Sequence, residues 1–333
     1  MQPFLTVGIP VYNGMPYLPE SLQSVLQQTY PHFEVVVIND GSTDDSLEYL
    51  QSVRDPRLRV ISQANRGITA ALNRALAEAR TPWLVRLDAD DIARPDRLAL
   101  LSEAIQKHPD AGMFYSDAEN YRHSRAISKL RTTRGTSEEL RTLTRRGYLL
   151  AICHVTVALN IAKTQSLGGY RFNLYVEDLD LWWRMALRYD IVFLPKVTVS
   201  IRLHEASTCA SNLEKLTLST LYVQYLLLSH VWQLSPLKYE IVAPYLLKMI
   251  DKGRLQYRHQ MWLAGGQMGA GQYHRAVPHL VSALVSSPNN FFDRLRYPFF
   301  PGGPVKRGED PSHFRQRQQL LWTPDERLLG EAV

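Results

Sequence analysis

A chain of 333 residues with 45% hydrophobic and 21% charged residues has room for about two domains and a sizeable core, and its composition is that of an ordinary water-soluble protein. The net charge of +6 is dispersed, with no tight Lys/Arg block, no zinc-ligand spacing and no RNA-binding aromatic signature, which argues against nucleic acid as a partner. Cys153 and Cys209 suggest reduced thiols in a cytoplasmic setting rather than a disulfide framework.

Met1-Gln2-Pro3 runs straight into a strand-like segment, so no signal peptide is expected. Leu5–Val11 reads as a buried strand, followed by a helix with Leu18, Leu22, Val25 and Leu26 at helical spacing. Glu34–Ile38 is a second strand, and Asn39–Asp45 a loop around the turn pair Asp40-Gly41, with Ser42 and Asp45 placed as a capping box. Leu58–Ser62 makes a third strand, and Ile68, Leu72, Ala75 and Leu76 mark an amphipathic helix. Trp83–Leu87 is the fourth strand; Asp96 is placed to cap a helix starting near Arg97. Strands and helices in alternation predict an α/β architecture with a mainly parallel sheet.

From about Ala111 to Leu203 the pattern is mixed. The runs Ile191–Leu194 and Val197–Leu203 predict two strands of a small antiparallel extension. After about Asn212 helix follows helix, so a domain over 1–210 and an all-α region over 211–333 are expected. The apolar stretch around Leu216–Leu234 is interrupted by Ser219, Gln224 and His230 and reads as a helix that does not cross a membrane. Gln267–Pro288 resembles one tetratricopeptide-type helical pair, which cannot bury its own apolar face alone. The tail 291–333 mixes Phe299 and Phe300 with Arg294, Lys306 and Arg307, a pattern suited to peripheral contact with an anionic membrane surface.

The strongest chemical signal is Asp88-Ala89-Asp90-Asp91 at the end of the fourth strand. Carboxylates this close raise the cost of ionising one another, and a hard divalent cation bound through oxygen relieves it. The plain alternative is a solvated acidic loop before a helix. Position favours the cation, because ligands of open α/β sheets bind beyond the carboxyl ends of the strands.

Thr6-Val7-Gly8-Ile9-Pro10-Val11-Tyr12-Asn13, Val37-Ile38-Asn39-Asp40-Gly41-Ser42-Thr43-Asp44, Asn65-Arg66-Gly67 and Leu87-Asp88-Ala89-Asp90-Asp91, in that order, resemble glycosyltransferase family 2. Val176-Glu177-Asp178-Leu179-Asp180-Leu181-Trp182-Trp183-Arg184 resembles the family's later acidic motif, and Ile201-Arg202-Leu203-His204 its closing strand and histidine. The likeness covers about residues 4–205 and implies a GT-A fold, Rossmann-like, that moves a sugar from a nucleotide-diphosphate donor, UDP foremost, to a saccharide or lipid-linked saccharide acceptor. It implies that Pro10 and Tyr12 flank the base, that Asp40 accepts from base or ribose and that Arg66 meets phosphate. Asp90 is then the leading ligand of Mg²⁺ or Mn²⁺, with His204 completing the shell; Asp88 contacts ribose or metal-bound water, and Asp91 lies behind or faces the sugar.

Inverting transfer needs a base for the acceptor hydroxyl. Asp178 is placed for it at a helix N-terminus, beside Glu177, with Trp182 one turn on as an aromatic platform for the acceptor. Asp180 and Arg184 read as an ordinary helix pair, and His154 as a core histidine. A nucleotide-sugar-binding scaffold without catalysis, acting through its helical region, is the alternative.

Overall fold

The computed structural model describes residues 5–122, 125–130, 132–171, 174–204, 212–269 and 273–287. Strands β1 (Leu5–Val11), β2 (Phe33–Asn39), β3 (Leu58–Ser62) and β4 (Trp83–Arg86) are parallel neighbours in the order β3-β2-β1-β4. Every residue of β1, β2 and β4 is buried, which is why these segments read as continuous apolar runs rather than alternating ones. Helices cover both faces. Leu18, Leu22 and Val25 of α1 (Leu18–Leu26) and Leu50 of α2 (Ser46–Ser52) join Val7, Ile9 and Val35 in one core cluster. Ala71, Leu72 and Ala75 of α3 (Ile68–Glu78) join Val36, Ile38 and Leu84 in the other.

Beyond β4 come β5 (Ile92–Ala93), α4 (Arg97–Lys107), β6 (Met113–Arg122), β7 (Arg125–Lys129) and α5 (Ser137–Arg145). A 3₁₀ turn at His154–Thr156 leads into β8 (Ala158–Asn160), then α6 (Ile161–Ser166), α7 (Glu177–Arg188) and β9 (Ile191–Arg202). β8 lies antiparallel between β4 and β6, and the sheet continues to β9 and β5, nine strands among the described residues. The runs at 191–194 and 197–203 are one strand, and it pairs parallel to β6, antiparallel only to β5. The β6 ladder skips from Leu194 to Val197. Pro195 lies in the skipped stretch, and it has no amide to donate.

Two expected caps take other partners. Asp45 precedes α2 without a side-chain bond, and Ser42 Oγ accepts from the Asn13 amide instead, at 3.0 Å. Asp96 precedes α4, yet its carboxylate receives Lys196 Nζ at 2.7 Å. A full capping box forms instead at Thr136 and Glu139 of α5.

The chain divides into compact units at Ile250, not at 210. Val223 and Leu227 of α8 (Leu213–Val231) are buried with Val176 and Trp183, and Gln224 Nε2 donates to the Gly147 carbonyl at 2.5 Å. α9 (Tyr239–Lys248) closes this unit by packing Val242, Ala243 and Leu246 on Leu218 and Tyr222. The second unit contains α10 (Lys252–Gly269) and α11 (Tyr273–Ser286), two helices of which the second lies within the expected pair and the first begins well before it. Cys209 and the tail 291–333 lie outside the described residues. Among the described residues no helix is long and apolar enough to cross a membrane.

Candidate active site

Two loops at the carboxyl ends of β1 and β2 are stitched together. Asn13, at φ +53°, accepts from the Thr43 amide through Oδ1 at 2.7 Å. The Gly14 amide donates to Ser46 Oγ (2.8 Å) and the Met15 amide to Asp44 Oδ2 (3.0 Å). Pro10 is buried inside β1 opposite Ile38, so the strand continues one residue past it. Tyr12 then stands 54% exposed, a free aromatic face rather than a helix-packing side chain. Asp40 is buried, and its carboxylate accepts from Gln63 Nε2 (2.7 Å), the Arg66 amide (3.0 Å) and the Gly67 amide (2.8 Å). Its first task is therefore to hold the 63–67 loop, with little capacity left for a ligand. Arg66 projects into solvent from that loop.

The three aspartates after β4 each present a carboxylate oxygen within 4.8 Å of the others, yet they are not equivalent. Arg86 and Asp88, two residues apart as the chain leaves the strand, meet through Arg86 Nη2 and Asp88 Oδ1 at 2.6 Å. Asp90 Oδ2 lies 2.8 Å from His204 Nε2. Asp91 is 3% exposed and accepts from the Arg202 amide at 3.0 Å, which makes it a tie between the cluster and β9 rather than a sugar-facing group. Asp88 and Asp90 keep 38% and 35% of their side chains in solvent, so these two can meet a ligand. Burial and then the Asp88 charge push the Asp90 carboxyl up; the same causes and Asp90 push Asp91 well up. A cation would relieve this repulsion, and oxygen donors suit Mg²⁺ or Mn²⁺. His204 acts here by orienting Asp90, with its ring 4.7 Å from that of Tyr17, while its buried Nδ1 has no partner. Arg202 adds a second brace, donating through Nε to the Asp90 carbonyl (3.0 Å) and through Nη2 to Glu20 (2.5 Å).

Across from the cluster, Glu177 and Asp178 open α7. Burial is the main cause that pushes the Asp178 carboxyl up to about 6, against hydrogen bonds from the backbone that include the Leu179 amide at 2.8 Å. Burial and the Asp178 charge push Glu177 up to about 8. His154 stands behind them, with Nε2 2.8 Å from the Tyr170 hydroxyl and Nδ1 3.5 Å from Glu177 Oε1. Burial holds His154 well below the usual imidazole range, so its contact with protonated Glu177 is between neutral groups. Tyr170 is fixed in turn by Asn73, which accepts from its amide at 3.0 Å and donates to its carbonyl at 2.8 Å.

Trp182 does not serve an acceptor. It is 0% exposed, its ring lies edge-on to His154 at 5.6 Å, and its Nε1 donates to the Ile152 carbonyl at 3.2 Å. The i,i+4 spacing correctly puts it beneath Asp178, but that face of α7 points into the core. Asp180 and Arg184 are likewise more than a surface pair. Buried Asp180 receives both Arg184 (2.7 Å) and Arg171 (2.7 Å), while Arg184 also donates to the Leu167 and Gly169 carbonyls.

Arg86, His154, Tyr170 and Arg202 are the site residues that sequence reading left without a role. For Arg86 a signal was present: an arginine two positions before an aspartate at a strand end shares its side of the sheet. For Tyr170 none existed. Chemically, the arrangement offers an acidic pole for a cation and diphosphate, and a second pole where a carboxylate titrates near neutrality.

Residues 6–161 match the family profile described as glycosyl transferase family 2. The chain is 37% identical over 120 residues to a chondroitin synthase of Escherichia coli, a stretch that covers 35% of this chain and 18% of that protein. The chain therefore spans only a small part of the curated relatives it matches first. In three dimensions it resembles Staphylococcus aureus TarS residues 1–349, solved in complex with UDP-GlcNAc (TM-score 0.54, 17% identity, 92% of this chain and 98% of that one). It also resembles a mannosyltransferase from Pyrobaculum calidifontis in complex with GDP-Man and Mn²⁺ (TM-score 0.53, 17% identity, 97% and 82% covered).

Proposed function

We propose, from the premise that this chain is a glycosyltransferase of family 2 with a GT-A fold, that it catalyses inverting, metal-dependent transfer from a nucleotide-diphosphate sugar to an acceptor hydroxyl. The observation that carries the reading is the split of the site's carboxylates into two environments, half-exposed Asp88 and Asp90 on one side and Asp178, raised to about 6, on the other. Carboxylates driven apart in this way take different chemical roles.

Asp90 would hold Mg²⁺ or Mn²⁺, with His204 orienting it. The ion, when bound, supplies Lewis-acid neutralisation of the departing diphosphate. The exposed ring of Tyr12 stacks on the base beside Pro10 and the Asp40-held loop. At the other pole, an ionised Asp178 accepts the proton of the acceptor hydroxyl. The oxygen attacks the anomeric carbon from the side opposite the diphosphate; the bond to the diphosphate breaks, and the product has inverted configuration. Glu177, protonated at neutral pH, keeps a second negative charge away from the base.

A nucleotide-diphosphate sugar as donor is supported by the complexes of the two structural neighbours, one with UDP-GlcNAc and one with GDP-Man; within that class the reading takes a UDP-sugar, as the family resemblance implies. A saccharide acceptor in polysaccharide synthesis is supported by the printed names of two relatives, the chondroitin synthase and a hyaluronan synthase of Pasteurella multocida; a lipid-linked acceptor and work on the cytoplasmic side of a membrane complete the proposed reading. The test is Asp178→Asn assayed against a panel of nucleotide sugars. Turnover is expected to fall by a factor of about 100 or more, within the range for loss of a general base, while donor affinity stays near wild type. Transfer at a near-normal rate would remove Asp178 from the base role.

A further inference from the structure

We infer that Tyr170 is a positioning residue for the acceptor pole: its hydroxyl, through His154 and Glu177, sets where the N-terminus of α7 carries Asp178. This rests on the reading of Asp178 as the base.

The hydrogen bonds to the Asp178 carboxylate come from α7 itself, the Leu179 amide at 2.8 Å among them. Its place in the site is therefore set by how the first turn of α7 is seated. The residue before it, Glu177, is 6% exposed and meets His154 Nδ1 through Oε1 at 3.5 Å. His154 Nε2 lies 2.8 Å from the Tyr170 hydroxyl, with the two rings 5.4 Å apart. Trp182, from the same helix as Glu177, stands edge-on to that imidazole at 5.6 Å. The imidazole is thus wedged between α7 and Tyr170.

Tyr170 is the fixed end of this chain. Asn73 of α3 accepts from its amide at 3.0 Å and donates to its carbonyl at 2.8 Å. The joint is close: Gly169 sits at φ +62°, and a Cβ there would lie 2.6 Å from Asn73 Oδ1. Arg184, from the second half of α7, donates to the Gly169 carbonyl at 2.8 Å. α3 begins directly after Gly67, whose amide Asp40 holds at 2.8 Å. One tyrosine therefore ties the base helix to the helix that grows out of the 63–67 loop. Packing alone does not call for such a chain. Phe and Leu in place of Tyr170 and His154 would fill the interior with fewer polar atoms to satisfy, an exchange that is commonly neutral or stabilising. What a buried polar chain adds is one fixed geometry.

The test is kcat and donor KM for Tyr170→Phe, Tyr170→Phe/His154→Leu and Asn73→Ala, each read beside its melting temperature. Tyr170→Phe removes one oxygen. Its kcat should fall about tenfold, as for a base displaced by a fraction of an ångström, while donor KM stays within about a factor of two of wild type. Tyr170→Phe/His154→Leu leaves no ring nitrogen without a partner, so it should melt at least as high as Tyr170→Phe and still turn over slowly. Asn73→Ala frees Tyr170 from α3 and should lower kcat in the same way; it stands in if Tyr170→Phe does not fold. Two results would overturn the proposal: a kcat that recovers with the melting temperature in the double variant, or a wild-type kcat in Tyr170→Phe, or in its stand-in, while Asp178→Asn is slow. Asp178→Asn transferring at a near-normal rate would instead remove the base reading, and the proposal with it.

Discussion

Asp178 has to lose its proton before it can accept one. With its carboxyl raised to about 6, turnover should fall as the pH drops through about 6 and level off above it, read as kcat against pH. A limb centred near 4 would mean that the working base is an ordinary exposed carboxylate. Glu177 carries the complementary cost. Its carboxyl is raised to about 8, so the native state keeps a proton that the unfolded chain has released by about pH 5, and stability falls as the pH rises through that window. Glu177→Gln should therefore melt higher than wild type at pH 9 and equal it at pH 4, by about 2–4 °C for each kcal/mol recovered. Equal melting at both values would place Glu177 in a wetter environment. At this scale the sequence was informative about which residues matter and poor about what they do. Asp88, Asp90, Asp91 and Asp178 stand out by type and spacing. That Asp91 is a structural tie and Asp88 an arginine partner follows from Arg202 and Arg86, whose side-chain directions no local pattern records.

At the scale of elements, periodicity located β1 to β4 and the helices between them, because buried strands and amphipathic helices leave a local trace, but it left β6, β7, β8, α5 and α6 undivided within a mixed stretch. It could not tell which way a face points. Trp182 shares a helix face with Asp178, and the face turns inward because Leu181, Trp182 and Met185 complete the second core cluster. The two runs of β9 merged because the β6 ladder steps past Pro195, a pairing decided by a strand some 80 residues earlier. The nucleotide loops depend on tight backbone approach. Gly41 sits at φ +75°, and a Cβ there would lie 2.7 Å from the Asn65 amide nitrogen. Gly41→Ala should cost about 1–3 kcal/mol in denaturant unfolding and weaken nucleotide binding, since it displaces the loop that Asp40 holds. Unchanged stability and binding would show that this loop adapts freely.

For the whole molecule, the position of the unit boundary is the point at which composition misleads. The switch to continuous helix after Asn212 suggested a new domain, yet α8 completes the first unit through Val223 and Leu227 against Trp183. A chain ending after Ile250 should fold cooperatively and retain nucleotide binding. One ending after Ala210 should lose several kcal/mol, because about 1.5–3 kcal/mol accompanies each buried Val or Leu side chain. Comparing the two by thermal unfolding decides it; equal stability would make α8 and α9 dispensable to the first unit. By itself, the sequence determined the succession of strands and helices as far as α4, the α/β class and the carboxylates that gather beyond the sheet, since each is written in spacing over a few residues. Only the tertiary structure decided which of those carboxylates remain open to a ligand, which is raised to titrate near neutrality, and where the first unit closes. Burial and charge come from partners far apart in the chain: His154 against Glu177, Asp90 against His204, Trp183 against Leu227. Such pairings exist only once the sheet has brought those segments together.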